Sequence, residues 1–168
     1  MQNGAVVARL ARAAPDSVIP DLLYRFEVCA VLESHAVYRA ALSPSRDLRA
    51  TRSLLACLNQ ALLARDAWEW HRLHLEFHRA LNDQSGNLVL AGMVERTHHE
   101  LETVYLPYID EPADSLSNLW SLQSEHRKIL SCVERREATA SVQHTRAHLA
   151  GLRDQVVAAV RGPLAFAR

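Results

Sequence analysis

The sequence predicts an all-α fold, an antiparallel bundle of about six helices, and three observations support this prediction. Apolar residues recur every three or four positions over long stretches, which is the spacing of one face of an α helix. The six prolines lie near the expected breaks, and none falls between Pro44 and Pro107, so long helices are permitted there. The connections between these stretches are short, which favours an antiparallel arrangement of neighbouring helices.

Each predicted helix begins and ends at residues that commonly start or stop helices. Ser43-Pro44-Ser45 ends the first helix, and we expect Ser45 to cap the second and Asp47 to favour its first turn. Gln84-Ser85-Gly86 ends the third helix, and Asn87 opens the fourth. A polar loop over residues 109–115 precedes the fifth helix. The predicted helices span about residues 17–42, 46–65, 68–82, 87–105, 116–133 and 137–160.

Length, composition and charge fit one soluble globular domain. Of the 168 residues, 49% are hydrophobic and 23% are charged, which is an ordinary balance for such a protein. Lys and Arg together number 19, as do Asp and Glu, so the formal net charge is zero. A free-standing nucleic-acid-binding protein normally carries a basic excess. We therefore do not expect these residues to bind DNA by themselves.

Cysteine usage and hydropathy indicate a cytoplasmic protein. The three cysteines, Cys29, Cys57 and Cys132, are far apart and odd in number, which is typical of buried thiols in a reducing compartment. The N-terminus has no apolar signal core, and no apolar stretch approaches the roughly 18 residues that indicate a membrane span. We therefore expect a cytoplasmic protein without a membrane segment.

Histidine is the unusual feature of the composition, with nine residues in the chain. His74 and His78 are four residues apart, so on a helix they project from the same face and can converge on one metal ion. His126 in the fifth predicted helix and His148 in the sixth can complete the set if the bundle brings these helices together. The alternative is that each histidine is simply solvated or hydrogen-bonded, because most isolated histidines are not ligands.

Four segments of the sequence resemble motifs of one known protein family. The stretch from His74 to Leu81 is similar to the family motif Asp-x-x-Phe-His-x-x-Leu, and Ser85-Gly86-Asn87 is similar to the turn that follows it. Glu125-His126-Arg127-Lys128-Ile129 resembles the family's Glu-His-x-x-Ile segment. Arg135-Arg136-Glu137-Ala138 and Ala147-His148-Leu149 resemble its last connection and its final His-Leu pair. Together the four segments resemble the FCD domain, the C-terminal effector domain of FadR-type GntR transcription regulators. The resemblance covers about residues 20–160 and implies an FCD-like helical bundle with a central cavity for a metal and a ligand.

The resemblance also implies a metal held by one Asp and three His, which here correspond to His78, His126 and His148. The Asp position is occupied by His74, so a neutral imidazole replaces a carboxylate. Four imidazoles favour zinc, with nickel or copper as alternatives, over the harder manganese. The substitution also leaves open an empty site, or a His74 that turns away.

The effector pocket departs from the family at a second position. Cys29 occupies the place of an Arg that would clamp a carboxylate, so a carboxylate effector is expected to depend on the metal and on other side chains. Cys29 is otherwise a small core residue, a soft ligand or a nucleophile. The residues predicted to line the ligand pocket are Cys29, Asn87, Arg96, His99 and Tyr105.

The resemblance divides the chain into three parts. Residues 1–16 resemble the end of the wing of a winged-helix domain and its linker, residues 17–161 form the effector domain, and residues 162–168 form a tail. The recognition helix of the winged helix has no counterpart in this sequence. A truncated chain, a misplaced gene start and a natural stand-alone sensor all fit this observation.

The sequence therefore predicts a metal-dependent sensing and dimerisation domain of a GntR-type regulator. It would bind a small organic anion, form a homodimer through its first and fourth helices, and contact DNA only through a winged-helix domain outside this chain. The alternative is a stand-alone metalloenzyme, of lyase or hydrolase type, on the same fold. In that case the metal would act as a Lewis acid. The candidate catalytic residues would be Glu76, Glu125, Cys29 and His144.

Overall fold

The computed structural model describes residues 17–106 and 116–161, and within these ranges the chain forms six α helices and no strand. The predicted all-α helical bundle is therefore confirmed. The predicted linker over 1–16, the loop over 109–115 and the tail over 162–168 lie outside the described residues. The helices are α1 (Val18–Leu42), α2 (Arg49–Ala64), α3 (Ala67–Asp83), α4 (Leu88–Tyr105), α5 (Leu116–Glu134) and α6 (Ala138–Arg161).

Side-chain caps fix the starts of the two central helices. Asp66 accepts a hydrogen bond from the backbone N–H of Glu69 at 2.9 Å at the start of α3. Asn87 accepts one from the backbone N–H of Leu90 at 3.1 Å at the start of α4. Gly86, directly before Asn87, has a φ of 67°, which glycine adopts without the steric penalty of a Cβ. The predicted break between α3 and α4 therefore lies where the sequence placed it.

The start of α2 differs from the prediction. Ser45 does not cap the helix, because the chain turns at Pro44 and the helix begins only after Leu48, which is buried in the core. Asp47 lies before the helix instead of in its first turn, and its carboxylate accepts the backbone N–H of Arg49 at 3.1 Å. Burial of Leu48 thus accompanies the later helix start, and Asp47 satisfies an amide of the first turn of α2 from outside the helix.

The two larger of three apolar clusters make up most of the interior, and α1 contributes to both. The larger cluster joins α2, α3 and α5, with Trp70 and Phe77 among its members. The other joins α1, α4 and α6 and contains Phe26, Cys29 and Leu149. Residues of both clusters flank a set of buried polar side chains, so the apolar layers shield this polar site from solvent. None of the six described helices combines the length and the apolar character needed to cross a bilayer.

Candidate metal centre

Four histidines from three helices converge in the interior of the bundle. His74 and His78 come from α3, His126 from α5 and His148 from α6, and all four are buried. Each contributes one ring nitrogen to a group in which all four nitrogens lie within 4.8 Å of one another. The Nε2 atoms of His78 and His126 are 3.2 Å apart. The structure therefore brings together the four histidines that the sequence singled out, and they could hold a metal ion.

Helix periodicity and aromatic packing orient the rings. The i, i+4 spacing places His74 and His78 on one face of α3, with their ring centroids 4.5 Å apart. Trp70, one turn before His74, stacks on it at 5.0 Å between centroids. The ring of Phe77 lies 4.8 Å from that of His126. His74 does not turn away from the group.

Three of the four imidazoles have a polar partner on the nitrogen that faces away from the centre. Glu33 on α1 contacts Nδ1 of His78 through Oε1, and Glu125 contacts Nδ1 of His148 at 3.0 Å. The side-chain oxygen of Gln123 lies 3.4 Å from Nδ1 of His126. Carboxylates and amides on the outer nitrogen are the usual partners of metal-bound histidines, because they fix the ring orientation and leave Nε2 for the ion.

Two buried nitrogens of the group lack hydrogen-bond partners among the described residues. These are Nε2 of His148 and Nδ1 of His74. A buried polar atom without a partner is costly, on the order of 1–3 kcal/mol. A cation at the centre would satisfy a nitrogen aimed at it. The site's own hydrogen bonding therefore fits a bound ion.

The pKa shifts of the buried histidines are also compatible with a cation bound between them. Burial lowers the pKa of His74 and of His126 well below the usual 6.5, and the neighbouring imidazoles lower both further. Burial lowers the pKa of His78 as well, although Glu33 opposes that shift. Burial thus favours the neutral form of these three rings, which is the form that binds a metal. Four buried imidazoles with converging nitrogens could hold a divalent metal ion.

Glu33 is the important residue that the sequence-based prediction missed. It is fully buried on α1, and its second carboxylate oxygen lies 2.8 Å from Nε2 of His98 and 3.9 Å from Sγ of Cys29. Burial alone would raise the pKa of Glu33, but the imidazoles of His78 and His98 hold it well below its usual value. The signal was available, because Glu33 interrupts the apolar face of α1 one turn after Cys29.

Four of the five residues predicted to line the ligand pocket divide between two separate spaces, and the fifth, Asn87, lines neither of them. Cys29 and Tyr105 line an internal cavity of about 40 Å³ beside His74 and His78. Arg96 and His99 line an outer groove of about 460 Å³ between α3 and α4. Asn87 is the N-cap of α4. Three residues, Leu75, His98 and Glu102, line both the cavity and the groove, so they form the wall between them.

The residues predicted to act as proton carriers in an enzyme also lie in different places. Glu76 is exposed, pairs with Arg72 and lines the outer groove. Glu125 is the partner of His148 and is 27% exposed. His144 is half-buried on α6 and is not one of the histidines that converge. Cys29 lines the cavity, where burial raises the pKa of its thiol.

Comparison with known proteins agrees with this geometry. The sequence model of the FCD domain matches residues 24–151, which is most of the chain and includes all four converging histidines. Neither the curated proteins nor the solved structures contain a match.

Proposed function

The chain belongs to the FCD domain family, and we propose on this basis that it is the metal-dependent sensing and dimerisation domain of a GntR-type regulator. The observation that carries the proposal is the buried group of four histidines with its outer carboxylate and amide partners. The metal would be held by His74, His78, His126 and His148. We propose zinc as the metal, with nickel, copper or manganese as alternatives.

The effector in this proposal is a small organic anion with a carboxylate group. A bound ion would offer its oxygen a Lewis-acidic contact. The cavity of about 40 Å³ has room for a small group such as a carboxylate, since roughly 10–15 Å³ of such space holds one water molecule. The rest of a larger effector would lie in the outer groove, where Arg96 and His99 can face its polar groups.

Effector binding would be transmitted through the wall between the two spaces. Leu75 belongs to α3, and His98 and Glu102 belong to α4, so an anion that crosses this wall must change how the two helices pack. Any preference of the anion for one arrangement of α3 and α4 would shift the population toward it. DNA contact would belong to an attached winged-helix domain in the cytoplasm, because the charges of the present chain balance.

Two observations favour sensing over catalysis. Catalytic zinc usually keeps three protein ligands and one open position, whereas the four imidazoles here would admit an effector oxygen only as a fifth ligand, in place of a reactive water. Glu76, a candidate proton carrier, is engaged by Arg72 at the surface.

Thermal denaturation tests the proposed function with defined probes. Chelator-treated, untagged protein is expected to gain stability with zinc alone, because the ion binds the folded state. Acetate or succinate is expected to raise the melting temperature further, but only when zinc is present. Chloride at matched ionic strength is the control. Stabilisation by the carboxylates that is equal with and without zinc would contradict a metal-dependent sensor.

An exposed apolar stripe along α1 supports the proposed homodimer. The spacing within this stripe alternates between four and three residues, which is the spacing of a helix–helix seam. The stripe consists of residues 24, 28, 31, 35, 38 and 42. All six residues are exposed, and five are large apolar or aromatic side chains, with Val31 59% exposed. On α4, which packs against α1, Val89 and Met93 are also exposed. We assign this stripe to a second copy of the chain, because the seam spacing fits the same stripe of another helix.

Replacing Val31 by glutamate is expected to dissociate the dimer, because it buries two like charges in the seam. Light scattering coupled to size exclusion should then report a monomer at concentrations at which the native chain is a dimer. Leu63→Glu is the matched control, since Leu63 is equally exposed but lies on α2. A native chain that is monomeric, or a V31E variant that remains dimeric, would refute this interface.

A further inference from the structure

A second group of potential ligands lies beside the four histidines. It consists of Cys29 and Glu33 on α1 and His98 on α4, and it shares no residue with the first group. We propose that these three residues form a second metal site, which takes a soft or borderline divalent ion such as zinc or cobalt.

The geometry of the three side chains suits one ion. One ligand atom from each residue lies within 4.8 Å of the other two. Nε2 of His98 is 2.8 Å from Oε2 of Glu33, and Sγ of Cys29 is 3.9 Å from the same oxygen. Cys29 and Glu33 are one turn apart on α1, so they project from the same face toward α4. The contacts between α1 and α4 therefore hold the three ligands together.

The chemistry of the donors points to zinc-like ions. Thiolate, imidazole and carboxylate are the three ligand types that zinc binds in proteins, and a thiolate excludes a preference for magnesium or calcium. Three protein ligands also leave one position open, in contrast to the four-histidine centre. Both Cys29 and His98 line the internal cavity, so a water molecule or a small anion in that cavity could take the open position.

The buried carboxylate of Glu33 also connects the second group to the first. Its carboxylate has no exposed surface, and a buried charge requires close compensation. The two oxygens divide between the sites, with Oε1 against Nδ1 of His78 and Oε2 against His98. An ion bound by Cys29, Glu33 and His98 would thus be linked through one carboxylate to a ligand of the four-histidine centre. Binding at the two sites would then be energetically coupled.

Cobalt titration of reduced, untagged protein tests the second site directly. A thiolate bound to Co²⁺ gives an intense charge-transfer absorption in the near ultraviolet, whereas an all-imidazole site gives only weak visible bands. We expect this absorption in the native chain, and we expect equilibrium dialysis to find two ions per chain. Cys29→Ser should abolish the absorption and reduce the stoichiometry to one.

The controls separate this inference from the proposed function. Cys57→Ser removes an exposed thiol on α2 and should leave the absorption intact. His148→Ala disrupts the four-histidine centre and should also leave it intact, because His148 is not a ligand of the second site. Absence of the absorption at saturating Co²⁺, or its persistence in the Cys29→Ser variant, would overturn the second site and leave the four-histidine centre untouched.

Discussion

Replacing His148 by alanine is expected to weaken zinc binding at the four-histidine centre by at least about 100-fold. Loss of a residue that only supports a ligand already costs roughly 10- to 100-fold in metal affinity, and loss of a ligand removes a coordinate bond as well. His148 is the most suitable of the four, because its Nε2 is buried without a partner among the described residues. Its outer partner, Glu125, is partly exposed and can turn to water when the imidazole is removed.

Competition with a chromophoric chelator measures this affinity. The titration is best done in a Cys29→Ser background, so that only the four-histidine centre contributes. His144→Ala is the matched control, since it removes a histidine one turn earlier on α6 that lies outside the converging group. The double variant with His148→Ala should lose zinc-dependent thermal stabilisation, whereas the one with His144→Ala should keep it. Equal zinc affinities in these two double variants would exclude His148 as a ligand.

Local sequence rules predicted most of the helices and half of the metal centre. The bounds of α3 and α4 follow from Asp66, Asn87 and the glycine between the helices, because capping depends on neighbouring residues alone. The pairing of His74 with His78 follows from helix periodicity. The start of α2 could not be read in this way, because it depends on Leu48 reaching the core across the turn at Pro44.

Contacts between helices that are distant in the sequence could not be predicted from local sequence patterns. His126 and His148 joined the prediction through the family resemblance, since periodicity does not say which faces of α5 and α6 meet α3. For the same reason the sequence placed Cys29 and Arg96 in one pocket, although the structure assigns them to a cavity and a groove on opposite sides of a wall. The position of Glu33 on the buried face of α1 is visible in the sequence, but its partners on α3 and α4 are not.

These partners make Glu33 the residue whose loss should most affect the stability of the metal-free protein. Glu33 contacts His78 on α3 and His98 on α4, so one carboxylate joins three helices in the interior. The carboxylate of Glu33 raises the pKa of His98 well above its usual value, against the effect of burial. Removal of Glu33 would leave a buried imidazole without its counter-charge and Nδ1 of His78 without its acceptor. Such losses in a buried pair cost about 3–5 kcal/mol.

We therefore expect Glu33→Ala to lower the free energy of unfolding of chelator-treated protein by about 3 kcal/mol or more, with part of the loss due to the cavity left behind. Urea denaturation followed by tryptophan fluorescence measures this change. Glu33→Gln keeps the shape and one acceptor, so it should lose less. Glu27→Ala removes an exposed carboxylate from the same helix and should change stability by no more than about 0.5 kcal/mol. Equal stabilities of the Glu33→Ala and Glu27→Ala variants would mean that the carboxylate does not join the three helices in solution.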